Sequence, residues 1–228
     1  MTNRDSSERI PIAFHRRRFL QGSALLAGGA AALGSPELGL AAGVAPERLN
    51  AWLALFQASP TAIDDYEPVA LTADELAILR AAVERIIPTD ELGPGAGEAG
   101  VQIFIDRSLA GPNAALLPVY QGGLAALDKA AGSGGFAAAA ADAQDGVLTD
   151  AEAGKLEDAP DGFFGLLLEH TRQGMFSDPI YGGNANFAGW DLIGYPGIKL
   201  IWSAEEQQFD VEVKPEHKSV AEYGGKGW

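Results

Sequence analysis

The sequence predicts an all-α fold, on three observations. Apolar residues recur at intervals of three and four in several separate windows, the period that turns one face of a helix toward a core. A Thr-x-x-Glu capping box at Thr72 and Glu75 opens the first clear window, and Pro88 closes it. No heptad, internal repeat or series of alternating apolar and polar runs appears, so coiled coils, solenoids and sheets have no support. The expected architecture is a small irregular helical bundle with a long loop rich in aromatics, glycine and proline, followed by an extended C-terminal tail.

Taken from the N-terminus, residues 1–41 read as an export signal. Arg16, Arg17 and Arg18 precede an apolar run from Phe19 to Leu33, and small residues follow around Ala41 and Ala42. Arg16-Arg17-Arg18-Phe19-Leu20 fits the twin-arginine pattern R-R-x-F-L, which addresses the route that exports proteins already folded. Gly22, Gly28 and Gly29 weaken the run, which is shorter than the roughly 20 residues a bilayer span needs, so a cleaved peptide is expected rather than an anchor. Its removal takes the formal charge from −15 to about −17. Folded export is needed when a cofactor is inserted, or subunits assemble, before crossing. The chain shows no cofactor motif, so assembly with a companion is the expected reason.

Residues 42–70 read as a linker holding one short amphipathic piece, 48–56, whose Trp52, Leu53 and Phe56 can dock on the core. The domain itself is expected over 71–202. Leu76, Leu79, Val83, Ile86 and Ile87 define the buried face of the first helix. The loop over 89–100, TDELGPGAGEAG, is glycine-rich and acidic. It is not a phosphate cradle, because no strand precedes it, no Lys-Ser or Lys-Thr follows it, and Glu91 and Glu98 would repel phosphate. A second helix over 101–109 has Val101, Ile105 and Leu109 on one side. A third over 114–131 shows Leu117, Tyr120, Leu124 and Leu127, and glycines at 132–135 end it.

A weaker alanine-rich helix is expected over 136–143. The following DAQDGVLTDAE has the outline of a calcium loop, but setting Gly146 at the turn puts Ala141 and Ala143 where the first two carboxylates belong. Thr149 and Glu152 read better as a second capping box. The last helix, 161–175, is the most apolar, with Phe163, Phe164, Leu166, Leu167, Leu168 and Met175. His170 has no nearby His, Cys or paired carboxylate in the sequence, so it reads as a packed or C-terminal capping residue.

Residues 176–197, FSDPIYGGNANFAGWDLIGYPG, match neither helix nor strand. Pro179, Gly182, Gly183, Gly189, Pro196 and Gly197 break any long helix, and Asn184 and Asn186 suit positive φ. Phe176, Tyr181, Phe187, Trp190 and Tyr195 are too apolar to leave in water, so an ordered loop is expected, either capping the helical core or offering a face to a partner. Phe176, Tyr181, Asn184, Trp190 and Tyr195 are the candidate interface residues. Beyond the loop Ile198, Leu200 and Trp202 alternate with polar residues, and 203–228 form an extended polar tail in which His217 is solvated.

The charge of −15 opposes any nucleic-acid role, which needs basic side chains against phosphate, and equally opposes an anionic membrane surface. The absence of cysteine excludes disulfides, iron–sulfur ligation and covalent haem attachment on this chain. No G-x-S-x-G elbow, no dinucleotide fingerprint after a strand and no H-E-x-x-H occurs, so no catalytic, cofactor-binding or metal-ligating residue is assigned.

Two stretches carry a resemblance. Ile87-Pro88-Thr89-Asp90-Glu91-Leu92-Gly93-Pro94-Gly95-Ala96 and Glu98-Ala99-Gly100-Val101 lead to Ile105-Asp106. The second stretch supplies Phe176, Asp178, Pro179, Tyr181, Gly182, Gly183, Asn184, Gly189, Trp190, Leu192, Gly194, Pro196 and Gly197. In this order, behind a twin-arginine peptide, they resemble the gluconate 2-dehydrogenase subunit 3 family over residues 71–197. The resemblance implies a small non-catalytic subunit of a periplasmic FAD-dependent sugar or polyol dehydrogenase. FAD and the active site would lie on a large partner subunit, a cytochrome c subunit often taking the electrons, and the small subunit would aid folding and supply the export signal. Two other readings compete with it. One is a free-standing periplasmic module that holds a sugar with Tyr181, Asn184, Asn186 and Trp190. The other is a cofactor-free enzyme using His170 with Asp178 or Asp191.

Overall fold

The computed structural model describes residues 63–211 and 213–223. The twin-arginine residues Arg16, Arg17, Phe19 and Leu20, and the amphipathic piece over 48–56, lie outside those residues. Among the described residues there are six α-helices and no strand, as the periodicity predicts.

Helix α1 (Ala73–Ile86) begins where the capping box places it. The Thr72 side chain accepts from the Glu75 amide at 3.2 Å, and the Glu75 carboxylate accepts from the Thr72 amide at 2.8 Å. Each satisfies a donor that the first turn leaves open. Ile78, Leu79, Ala82, Val83 and Ile86 face inward. Ile87 turns out of the helix into an extended conformation, buried, ahead of Pro88.

Helix α2 (Val101–Ala110) is buried on nearly every side, including the polar Gln102, Asp106, Arg107 and Ser108. It lies against α1 and against α5 (Phe163–Phe176). Helix α3 (Leu117–Ala131), preceded by a 3₁₀ turn at Ala114–Leu116, packs on α1, α5 and α4 (Ala141–Glu152). Small residues let these helices approach. A Cβ at Gly123 would stand 2.2 Å from the Phe163 ring, and one at Gly174 would stand 2.9 Å from Val101. Phe163 in turn meets Tyr120 edge-on, with ring centroids 5.9 Å apart.

Three expectations are corrected here. Residues 136–140 form turns rather than the start of a helix, because Phe136 is drawn fully into the core. Its amide donates to Asp128 and its carbonyl accepts from the Gln144 side chain at 2.9 Å, which fixes a non-helical backbone. The stretch from 141 to 152 is itself the helix, α4, so Thr149 caps nothing; its hydroxyl donates to the Asp145 carbonyl one turn back. The last helix begins at Phe163, two residues later than its composition suggests, because Gly162 adopts a left-handed conformation at its N-cap.

The packed region also starts before Leu71. Asp106 of α2, fully buried, accepts from the Tyr66 hydroxyl at 2.6 Å and from the amides of Val69, Ala70 and Leu71 at 2.7, 3.0 and 2.8 Å. One side chain thus holds the chain's entry into the bundle through four hydrogen bonds. Burial first, and the Asp106 carboxylate second, push the Tyr66 phenol above the ordinary range, so it stays a donor.

Candidate functional site

The two glycine-rich stretches that stand out in the sequence meet in space. The first, 88–100, is strapped to α1 by Glu84, whose carboxylate accepts from the amides of Thr89 at 2.8 Å and Gly97 at 3.0 Å. The Gly95 amide donates to the Thr89 hydroxyl at 2.8 Å. A Cβ at Gly95 would fall 2.5 Å from that same carboxylate, so the glycine is required by the approach. Leu92 donates to the Asp90 side chain, closing the small turn at 90–93.

The second stretch folds over the end of α5. Asp178 caps a 3₁₀ turn at Pro179–Tyr181 by accepting from Ile180 at 3.0 Å. Asn184 follows in the left-handed region at φ 52°, with Asn186 and Phe187 at 54° and 63°. Asn184 is 0 % exposed, and its amide works inward. Nδ2 donates to the Ser177 carbonyl at 2.7 Å, while Oδ1 accepts from the Gly189 amide at 2.7 Å and more weakly from Trp190. Helix α6 (Ala188–Ile193) then carries Trp190, 4 % exposed, whose indole N–H donates to the Phe176 carbonyl at 3.0 Å. Gly194 at φ 68° ends α6, and Tyr195 donates back to the Trp190 carbonyl at 2.8 Å.

The two stretches join where the Ala185 amide donates to the Ala99 carbonyl at 2.9 Å. Gly100 takes φ 76° before α2, and a Cβ there would stand 3.1 Å from the Gly182 carbonyl oxygen, a tight contact.

Over residues 73–197, more than half of the chain, the sequence matches the family model described as gluconate 2-dehydrogenase subunit 3. The chain belongs to the gluconate 2-dehydrogenase subunit 3 family. No curated protein and no solved structure matches it.

In this subunit-3 chain the five loop candidates separate into two kinds. Asn184 and Trp190 are internal braces, and Phe176 is half-buried with its carbonyl holding the Trp190 indole. Tyr181 and Tyr195 reach the surface at 39 % and 40 % exposure. Of the four residues of the sugar-binding alternative, Tyr181, Asn184, Asn186 and Trp190, the Asn184 amide and the Trp190 indole are buried and engaged with backbone. The proposed His170 dyad does not form either. His170 is buried and pairs through Nδ1 with the Tyr120 hydroxyl at 2.8 Å, so it is a packed histidine. Burial lowers its pKa, with Glu169 acting weakly the other way. Asp191 instead meets His217 at 2.6 Å, and Asp178 accepts from Ser219 at 2.6 Å and from the Val220 amide at 2.8 Å.

Those last contacts show what the tail does. It is extended apart from a 3₁₀ turn at Val220–Glu222, yet it lies back on the loop. Glu216 donates its amide to the Pro196 carbonyl, Ile198 to that of Lys218, and the Tyr223 hydroxyl to that of Ile198. His217 is therefore not merely solvated: it stacks on Phe187 with centroids 5.0 Å apart, and Phe187 meets Trp190 in turn. Lys199, only 7 % exposed at its side chain, bonds both Glu206 and Glu216. Its hydrogen bond drives the Glu206 carboxyl down to about 2 and lowers that of Glu216.

Sequence reasoning missed Glu84, Asp106 and Lys199 as anchors. Asp106 had a signal, an acid flanked by Ile103, Ile105 and Leu109 in a short apolar helix. The other two had none, since each acts on chain distant in sequence. Among the described residues no helix is long and apolar enough to cross a membrane, and the surface clefts beside Ala77 and Ala137 are shallow.

Proposed function

We propose that this chain is the non-catalytic small subunit of a periplasmic FAD-dependent sugar or polyol dehydrogenase of the gluconate type. It binds the large flavoprotein subunit in the cytoplasm, aids its folding, and supplies through Arg16, Arg17, Phe19 and Leu20 the twin-arginine signal that exports both. FAD and the reacting centre belong to the large subunit, and a cytochrome c subunit takes the electrons where the complex has one.

The observation that carries this reading is the family match over 73–197 falling on two stretches that brace each other. In the second, the polar groups of Asn184 and Trp190 are engaged with backbone, while Tyr181 and Tyr195 face outward. Such a loop suits a face that another protein covers, where rigid aromatics contribute area at low entropic cost. The test is expression of the flavoprotein with and without this chain. With it, active FAD enzyme is expected in the periplasm; without it, inactive or cytoplasmic protein. Full periplasmic activity in the absence of this chain overturns the reading.

A further inference from the structure

At and just past the end of the family-matched region, residues 193–202 expose a run of large apolar side chains. Ile193 is 50 % exposed, Leu200 54 % and Ile201 85 %, with Tyr195 and Trp202 at 40 % each. A short stretch with this much apolar surface is unusual for a soluble protein and marks an interaction site more often than chance. The backbone beneath it is firmly held, so the exposure is not that of a loose end. Ile198 is tied to Lys218 and Tyr223, Lys199 lies under Trp202 at 5.3 Å from the ring centroid, and Gln207 donates to the Trp202 carbonyl at 2.9 Å.

The surroundings are acidic. Over 177–223 the sequence has eight Asp and Glu against three Lys. Lys199 and Lys218 pair with Glu206 and Glu216, and the exposed Glu205 and Asp210 follow closely on the apolar run in sequence. A second copy of this chain is a poor occupant, because it would bring one acidic rim against another. An anionic membrane is excluded by the same sign. A protein face that is apolar at its centre and basic at its edge fits both features.

We infer that residues 193–202, framed by Glu205 and Asp210, form the surface that seats the large FAD-dependent subunit, whose matching face is apolar with a basic rim. This rests on the subunit reading above and adds the surface and the chemistry of the partner's face. The tail past Gly197 is then part of the working subunit, holding this surface rigid through Lys199.

The experiment co-expresses the full chain with a tagged large FAD-dependent subunit and measures how much small chain is captured. Ile201→Asp is chosen because so exposed a side chain contributes little to the fold, and an unchanged melting temperature of the purified variant checks this. Capture of wild type, with Ile201→Asp reduced about tenfold or more, is the expected result. Glu205→Lys with Asp210→Lys is expected to lower capture several-fold at low salt, the difference closing as salt is raised. Equal capture of wild type and Ile201→Asp overturns the surface while leaving the subunit reading standing. No capture of wild type overturns both. A wild-type homodimer that Ile201→Asp dissolves would assign the surface to a second copy and overturn the proposal.

Discussion

His170 and Tyr120 form a buried polar pair at the centre of the bundle, with rings stacked 1° from parallel and 5.8 Å apart. Burial disfavours the imidazolium, so the folded protein binds a proton at His170 less readily than the unfolded chain, whose histidine titrates near 6.5. The stability that His170 contributes is therefore full above that value and falls as pH drops below it, because the unfolded state takes up a proton that the folded state resists. Melting temperature measured from pH 7.5 to 5 is expected to decline more steeply for wild type than for His170→Gln; parallel curves would contradict this. The histidine's packed role was legible in its isolation from other ligands. Its partner was not, because Tyr120 and His170 are 50 residues apart and only the crossing of α3 with α5 joins them.

At the scale of elements, the capping box located the start of α1 to the residue, because local chemistry decides where such a helix starts, while Ile87, expected on its buried face, is buried just past its end. The boundaries around 136–152 were misread for the opposite reason. Phe136 is held by Asp128 and Gln144, tertiary contacts that override the helix propensity of an alanine run. The loop over 176–197 was legible as ordered, but its glycines were read only as breakers. Gly189 shows the tighter demand, since a Cβ there would lie 1.7 Å from the Met175 carbonyl oxygen. Gly189→Ala is expected to destabilise the protein by about 3 kcal/mol or more through this overlap, measured by urea unfolding. A loss under about 0.5 kcal/mol would mean that the loop does not sit against the end of α5 as described.

The tail supplies a second prediction at this scale. Glu206, drawn from its ordinary 4.5 to about 2 by Lys199, gives the folded state a contribution that is complete above the higher value and lost as pH falls toward the lower. Proteolytic release of the tail is therefore expected to quicken between pH 4.5 and 2, and Glu206→Gln is expected to show quick release already at neutral pH. An acid-independent release rate in wild type would contradict the Lys199 clasp. None of this was legible in the sequence, where 203–228 reads as a polar extension. Lys199, Glu206 and Glu216 carry no motif, and only the fold-back of the chain brings them together.

For the whole molecule, motifs told more than composition, which served to exclude classes. Arg16-Arg17-Arg18-Phe19-Leu20, with no cofactor motif in the chain, raises the expectation of a companion, and the family match over 73–197 makes this chain a subunit 3 of the gluconate 2-dehydrogenase type. The bundle then reads as a frame: Asp106 fixes the entering chain, Glu84 fixes the first glycine-rich stretch, and Asn184 with Lys199 fixes the loop and tail around Tyr195 and Ile201. The most direct measurement changes only the export signal of this chain. With Arg16→Lys and Arg17→Lys in the small subunit and the flavoprotein unaltered, FAD-dependent dehydrogenase activity is followed in periplasmic and cytoplasmic fractions. The account predicts that the activity stays in the cytoplasm, bound to the unexported small subunit. Wild-type activity in the periplasm would contradict it.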